Sequence, residues 1–126
     1  MSKPIKESIA VIVFRGDQIL VIRRPDDDDE LPGIWGLPAG TRRDQETPGD
    51  IISRIGCDKL GVKLAPARML ASGTQDRPAY KLHMELWEAS MEGIPQYPQW
   101  RWAGPELLRS GAASGSLCCQ LALARL

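Results

Sequence analysis

The stretch GTRRDQETPGDIISRIGCDKLGV, residues Gly40–Val62, has the pattern of a loop followed by a helix. Thr47 and Asp50 have the spacing of a capping box, in which each side chain bonds the backbone of the other residue. Pro48 suits the first helical turn, and the glycine that follows position 60 is typical of a helix end. These signals predict a helix from about Pro48 to Leu60.

The periodicity of this helix is that of an ordinary amphipathic helix packed on a sheet. At 100° per residue, Ile51, Ile52 and Ile55 form one apolar stripe. Asp50 and Arg54 are spaced as an i, i+4 ion pair, which stabilises a helix by only about 0.2–0.5 kcal/mol. Periodicity alone therefore predicts a helix packed on a sheet and gives no indication of a catalytic or binding role.

The spacing of the whole stretch resembles the Nudix box, G-x5-E-x7-R-E-U-x-E-E-x-G-U, in which U is a bulky apolar residue. The match has no gap, and the segment WGLPAG before it is similar to the family's usual lead-in. The resemblance implies an α/β fold, a Nudix-type α/β/α sandwich with a mixed sheet, as one domain over residues 1–126. The matching positions are Gly40, Glu46, Arg54, Gly61 and Val62.

The chain departs from the family pattern at three places, which together involve four residues. Ile55 stands where the family has the glutamate after Arg54, Gly56 replaces a bulky residue, and Asp58-Lys59 replaces a pair of glutamates. The family's three glutamates share one helix face and bind magnesium, a hard cation that prefers several oxygen ligands. The resemblance therefore implies Mg²⁺ as the cofactor, at a face that here retains one carboxylate and has gained a lysine.

The resemblance also assigns roles to individual side chains of this chain. The residues with catalytic roles are Glu46, Arg54 and Asp58. The first two form a supporting ion pair. The candidate magnesium ligands are Asp58, Glu46 and a distal acid on a later strand, Glu85. The candidate substrate contacts are Gly40, Lys59 and Trp35. A lysine beside the altered face predicts direct attraction of a substrate phosphate by a fixed positive charge.

Two functions follow from these residues, and the sequence leaves both open. The first is a Nudix-type hydrolase that cleaves nucleoside-diphosphate-linked substrates, supported by Gly40, Asp58 and the Glu46/Arg54 pair. The second is a non-catalytic module of the same fold that binds a nucleotide or a protein partner. It is supported by the replacement of two of the three helix carboxylates.

Composition restricts the class of protein further. The chain has 126 residues, 43% of them hydrophobic and 25% charged, with zero formal net charge. This balance argues against general nucleic-acid binding, which depends on neutralising phosphates, and no apolar run is long enough to span a membrane. The N-terminal residues lack the pattern of a signal peptide, so we expect a cytoplasmic protein. Three cysteines, at positions 57, 118 and 119, are expected to be buried free thiols.

The remaining pattern predicts the other elements. Residues 7–14 and 18–23 predict a hairpin, and the acidic run 26–30 predicts a solvated loop. Residues 65–75 predict a strand interrupted near Gly73, and residues 80–89 alternate with a period of two. A last helix is expected over residues 117–126. His83 is expected to be a strand-surface histidine, and Trp100 and Trp102 are expected to share one strand face as core residues.

Overall fold

A computed structural model describes residues 3–126. Its strands assemble into two sheets, with helices packed against them. In chain order the elements are β1 (Ile5–Ile12), β2 (Phe14–Arg15), β3 (Gln18–Arg23), β4 (Trp35–Gly36), β5 (Ala39–Thr41), α1 (Pro48–Arg54), a π-helical continuation of α1 (Ile55–Leu60), β6 (Lys63–Asp76), β7 (Lys81–Glu92), β8 (Trp100–Ala103), a 3₁₀ segment (Pro105–Leu108), α2 (Arg109–Ala113) and α3 (Leu117–Arg125).

The larger sheet is mixed, which confirms the predicted fold class. Its strand order is β5-β1-β7-β6, with β1 and β7 parallel and the other neighbours antiparallel. In the second sheet, β3 pairs antiparallel with β2, β4 and β8. The long crossover from β1 to β7 is the kind of connection that a parallel pair requires.

Strand β1 is covered on both faces, as its continuous apolar sequence predicts. On one face, Ala10 and Ile12 belong to a core cluster that includes residues of α3. On the other face, Ile9 and Val11 belong to a cluster that includes three isoleucines of the box helix, as we call α1 together with its π-helical continuation (residues 48–60). Both helices are therefore held by burial of their apolar stripes against opposite faces of the same strands.

The predicted hairpin is formed, but its first arm is divided between the two sheets. The arm pairs with β7 as far as Ile12, and Phe14–Arg15 then pairs with β3. At the junction, the Leu20 N–H donates to the Val13 carbonyl at 3.0 Å. The break between β1 and β2 at residue 13 lets one nearly continuous apolar run serve both sheets.

The box helix begins and ends where the sequence predicts. The Thr47 side chain accepts from the Asp50 N–H at 3.2 Å, and Asp50 accepts from the Thr47 N–H at 2.9 Å. Gly61 ends the helix in the left-handed conformation, with φ 65°. The last six residues have the wider π-helical turn. A Cβ on Gly56 in this turn would lie 2.8 Å from the Val62 carbonyl oxygen, so glycine permits close packing against the chain that leads into β6.

Strand β6 differs from its prediction in where it is irregular. The interruption expected near Gly73 was wrong, because β6 runs through it and the irregular register lies between Pro66 and Arg68 and between Met69 and Ala71. A Cβ on Gly73 would lie 3.0 Å from a Leu121 methyl, so this glycine admits a side chain of α3. The alternation of β7 is confirmed, with its even-numbered Leu82, Met84 and Leu86 buried.

Two further expectations need correction. Cys57 is exposed on the box helix, whereas the other two cysteines are buried as expected. The acidic run is a loop, but not uniformly solvated, because Asp28 accepts from the Leu31 N–H at 2.9 Å and Glu30 accepts from the Tyr80 hydroxyl at 2.7 Å. These bonds pin the loop to the body of the protein and lower the pKa of both carboxyls.

The two tryptophans of β8 pack on the cluster beneath α1, as the core interpretation predicts. Trp100 and Trp102 meet edge to face with ring centres 6.5 Å apart. Within residues 3–126, no helix combines the length and the apolar character that crossing a bilayer requires.

Candidate functional site

An ion pair braces the loop that leads into the box helix. Arg54 donates from Nε to Glu46 at 2.8 Å and from Nη2 to the second carboxylate oxygen at 2.9 Å. The two side chains are 18% and 20% exposed. The guanidinium, and then the Arg43 N–H at 2.7 Å, lower the pKa of Glu46 to about 2. Glu46 is therefore ionised throughout the neutral range, with both oxygens engaged.

The same arginine ties the loop to the larger sheet. Arg54 Nη2 also donates to the carbonyl of Thr41 at 2.6 Å, at the end of β5. The i, i+4 pair of Arg54 with Asp50 is not formed, so that interpretation was wrong. Asp50 caps the backbone of Thr47 instead, which leaves Arg54 free to reach Glu46.

Lys59 points back to the strand that precedes the loop. Its Nζ donates to the backbone carbonyl of Ala39, although the residue as a whole is exposed. Desolvation lowers the pKa of Lys59, and the nearby charges of Arg24 and Arg54 lower it further, while Asp28 opposes them. A desolvated ammonium beside two guanidinium groups is a location that favours a bound anion.

Ile55, at the position of the family's first metal-binding glutamate, belongs to the hydrophobic core. It is 2% exposed and lies in the cluster beneath α1. A Cβ on Gly40 would lie 3.0 Å from Ile55 Cγ1, so the glycine and the isoleucine are packed directly together. The glycine that opens the box is needed here for this close approach.

The three candidate metal ligands do not line one common site. Asp58 lies in a concavity of about 160 Å³ with Arg43, Arg54 and Lys59. Glu85 faces a different cavity, of about 400 Å³, which also contains Glu46 and the half-buried His83. Glu85 accepts from the Trp87 indole N–H at 2.9 Å.

The residues present do not fit a magnesium ion. Both oxygens of Glu46 are taken by Arg54 and a backbone N–H, and Lys59 Nζ bonds the carbonyl that borders Asp58's concavity. In the part of the chain from Lys3 onward, no group of three or more His, Cys, Asp or Glu side chains is arranged to hold a metal ion. One aspartate beside a lysine is a poor set of donors for a hard cation.

Three adjoining concavities share Ala39 and Lys59, and we call them together the Lys59 cleft. Their volumes are about 200, 130 and 160 Å³. The first two also share Arg24, Ser116 and Cys118. The cleft lies where β5, the end of the box helix, the loop after β3 and the start of α3 meet.

Basic residues outnumber acidic residues in the lining of the Lys59 cleft. Its three acidic residues are Asp28, Glu30 and Asp58; Asp28 pairs with Arg24 at 3.1 Å and Glu30 pairs with Arg77 at 3.0 Å. Like charges lining one concavity focus a positive potential on a bound anion. The cleft's six basic residues are Lys6, Arg24, Arg43, Arg54, Lys59 and Arg77.

Some residues of the cleft lie outside the sequence-predicted set, and one predicted residue faces elsewhere. Gly40, Asp58 and Lys59 line the cleft. The ring of Trp35 instead lies beneath the Arg101 guanidinium carbon, 4.9 Å from the ring centre. Arg24 and Cys118 also line the cleft, but no sequence motif pointed to them. They come from a loop and a helix that are far apart in the chain.

Comparison with known proteins identifies the fold. No protein-family model matches the sequence. The structure is similar to the ORF135 protein of E. coli, with a TM-score of 0.80 and 22% identity, covering 97% of this chain and 91% of that chain. It is also similar to the MutT protein from Methanosarcina mazei Go1, with a TM-score of 0.75 and 16% identity, covering 87% and 84%.

A third similar structure is the MutT NUDIX hydrolase from Burkholderia pseudomallei, with a TM-score of 0.72 and 20% identity. The match covers 82% of this chain and 86% of that chain. The three matches cover from 82% to 97% of this chain. The chain therefore has the Nudix fold, the fold of the MutT-like hydrolases.

Proposed function

We propose that this protein binds a small phosphorylated ligand, a nucleotide or another diphosphate derivative, in the Lys59 cleft without a metal ion. The observation that carries the proposal is the position of the Lys59 ammonium, which bonds the Ala39 carbonyl in a cleft that also contains Arg24 and Arg54. A phosphate there would accept charge-assisted hydrogen bonds and relieve repulsion among the cations. Lys59 would then supply the positive charge that magnesium supplies elsewhere in the family.

The shape of the cleft supports a ligand with a charged end and a larger remainder. Each concavity alone is smaller than the roughly 300 Å³ of a typical small-molecule pocket. Because all three share Ala39 and Lys59, a diphosphate at Lys59 could extend from the box loop toward Tyr80 or toward Cys118. The arrangement binds and orients an anion, and a lysine point charge does not activate water as a bound metal does.

Calorimetric titration with ADP and with inorganic pyrophosphate tests this proposal. We expect binding that is equal in EDTA and in magnesium. Lys59→Met should weaken it about 10- to 100-fold, the effect of losing one hydrogen bond to a charged group. The matched control is Lys63→Met, which removes an exposed lysine at the start of β6 and should leave the affinity unchanged. A requirement for magnesium, or full affinity in Lys59→Met, would overturn the proposal.

A Nudix-type hydrolase of nucleoside-diphosphate-linked substrates is the second candidate. One observation favours it: the Glu46/Arg54/Thr41 brace is intact and holds the loop beside Asp58, as a catalytic loop would need. The test is a screen for phosphate release from nucleoside diphosphate derivatives with and without magnesium. Turnover that is lost in Asp58→Ala would establish the hydrolase. Absence of turnover across the screen would favour the non-catalytic binding function.

We also propose a cytoplasmic setting. The support is compositional, together with three free cysteines, which are typical of a reducing compartment. Reducing and non-reducing electrophoresis of protein taken directly from its source would check this setting. Disulfide-linked species that form before lysis would contradict the cytoplasmic setting.

A further inference from the structure

The acidic loop, residues 24–34 between β3 and β4, forms part of the wall of the Lys59 cleft. Glu30 and Leu31 line the concavity of about 200 Å³, and Asp28 lines the one of about 130 Å³. Lys59 lines both of these concavities. The position of this loop therefore decides how much of the cleft is open to a ligand.

The acidic loop is folded on itself and has few polar contacts with the elements that follow it. Its Asp28 carboxylate accepts from the N–H groups of Glu30 at 3.2 Å and Leu31 at 2.9 Å. Within residues 3–126, the hydrogen bonds that join residues 25–33 to elements beyond β4 are all made by the Glu30 side chain. The polar attachment of the loop to the larger sheet therefore depends on one carboxylate.

The Glu30 carboxylate lies among groups that are suited to bind an anion. Arg77 donates to one of its oxygens at 3.0 Å, and the Tyr80 hydroxyl donates to the other at 2.7 Å. The Lys6 ammonium is 4.9 Å from the centre of the Tyr80 ring and lines the same concavity. A phosphate group at this point would accept the same charge-assisted hydrogen bonds as the carboxylate. We call the place formed by Arg77, Tyr80 and Lys6 the Arg77 subsite.

Arg77 is held in place independently of Glu30. Its Nε donates to the side-chain oxygen of Gln75 at 2.9 Å, and its backbone N–H donates to the Tyr80 carbonyl at 2.9 Å. Gln75 in turn donates to the Gly115 carbonyl at 2.9 Å. The Arg77 side chain is 16% exposed, whereas that of Glu30 is 43% exposed. If the carboxylate leaves, the guanidinium therefore stays in position and can bind another anion.

We propose that Glu30 is an internal competitor of the ligand: its carboxylate occupies the Arg77 subsite, a second anion site of the cleft, which takes a phosphate group once Glu30 leaves. A phosphate and this carboxylate cannot both occupy the space between Arg77 and Tyr80, so one displaces the other. The apparent affinity is then the intrinsic affinity multiplied by the fraction of molecules in which the subsite is free. The use of the subsite by a ligand that also reaches Lys59 rests on the proposed function, whereas the subsite itself does not.

Calorimetric titration of Glu30→Gln with ADP tests the competition. Glutamine keeps the size of the side chain and removes its charge, so ADP should bind about tenfold tighter than to the wild type, the order of one hydrogen bond to a charged group. The matched control is Asp29→Asn, which removes the same charge from an exposed position of the same loop and should leave the affinity unchanged. Equal or weaker ADP binding by Glu30→Gln, as expected if Glu30 only fastens the loop, would overturn the inference.

A double-mutant cycle shows whether the gain arises at the Arg77 subsite. Arg77→Met removes the guanidinium, so in this background Glu30→Gln should give no gain in ADP affinity. A gain of the same size in the Arg77→Met background would show that the charge of Glu30 acts from a distance, and would overturn the inference. If Arg77→Met does not fold, the cycle is run with Tyr80→Phe, which removes the hydroxyl donor and keeps the ring, and the gain should then be smaller.

The NMR signal of the Arg77 Nε–H group measures the subsite without the ligand, and Arg77→Lys assigns this signal by its absence. Inorganic phosphate should shift the signal in Glu30→Gln at about one tenth of the concentration that the wild type requires. The shift should persist in Lys59→Met. A signal that phosphate does not move in Glu30→Gln would overturn the subsite. If the wild type does not bind ADP while phosphate still moves this signal in Glu30→Gln, the proposed function fails and the subsite is supported.

Discussion

Lys59 donates a hydrogen bond from its ammonium to the backbone carbonyl of Ala39, 20 residues earlier in the chain. This bond joins the end of the box helix to β5, directly before the glycine that opens the box. It places a fixed positive charge where the Nudix resemblance puts a magnesium-binding carboxylate. The predictions below follow from this bond and from the brace that surrounds it.

Replacing Lys59 with glutamate should create a weak magnesium site. Lys59→Glu removes the competing charge and puts a second carboxylate beside Asp58 and the Ala39 carbonyl. Two carboxylates and a carbonyl are oxygen ligands suited to a hard cation, so we expect a Kd on the order of 1 mM, as in weak protein sites. Calorimetric titration with magnesium measures it, with Lys63→Glu as the control. Micromolar magnesium binding by the wild type, lost in Asp58→Ala, would contradict the expectation.

Removing Arg54 should destabilise the fold more than removing an exposed arginine. Arg54→Ala leaves Glu46 and the Thr41 carbonyl without their partner, in a half-buried position. We expect the melting temperature to fall by roughly 5 °C or more, a large shift for a domain of this size. The matched control is Arg68→Ala, since Arg68 pairs with Glu88 at 3.1 Å but is 67% exposed. Equal melting temperatures in the two variants would show that the brace is not structural.

Acid should remove the contribution of Glu46. Its pKa is lowered from 4.5 to about 2 in the folded protein, so the unfolded chain binds this proton more readily. Its stabilisation is therefore complete above about pH 4.5 and is lost as the pH falls toward 2. We expect denaturant midpoints of wild type and Glu46→Gln to differ at pH 6 and to converge near pH 2. A gap that is independent of pH would contradict this linkage.

Gly56 should tolerate a methyl group less well than Gly49, although both lie in the box helix. A Cβ on Gly56 would lie 2.8 Å from the Val62 carbonyl, so Gly56→Ala overpacks the site and should cost about 1–3 kcal/mol. A Cβ on Gly49 has nothing closer than 3.8 Å, so Gly49→Ala should be neutral or stabilise by up to about 1 kcal/mol. Urea unfolding of both variants measures the difference, and equal values would show that the π-helical turn can relax.

Local signals predicted the elements whose causes are local. The capping box of Thr47 and Asp50, the closing Gly61 and the alternation of β7 depend on neighbours within a few residues, and the structure has all three. The spacing of the box likewise led to the fold. The role of Gly73 was predicted wrongly, because this glycine makes room for a methyl group of Leu121, which belongs to another element.

The amino-acid sequence by itself predicted the box helix, and its resemblance to the Nudix box predicted the mixed α/β class and implied that Ile55 and Lys59 stand where the family has metal-binding carboxylates. Only the tertiary structure decided where the side chains of Ile55 and Lys59 lie. Burial of one isoleucine and the bond of Lys59 to Ala39 depend on how β5 packs against the helix. The meeting of Arg24 and Cys118 at the same cleft depends on packing of α3 against the sheet. Residues so far apart in the chain have no spacing rule, because packing of whole elements sets their separation.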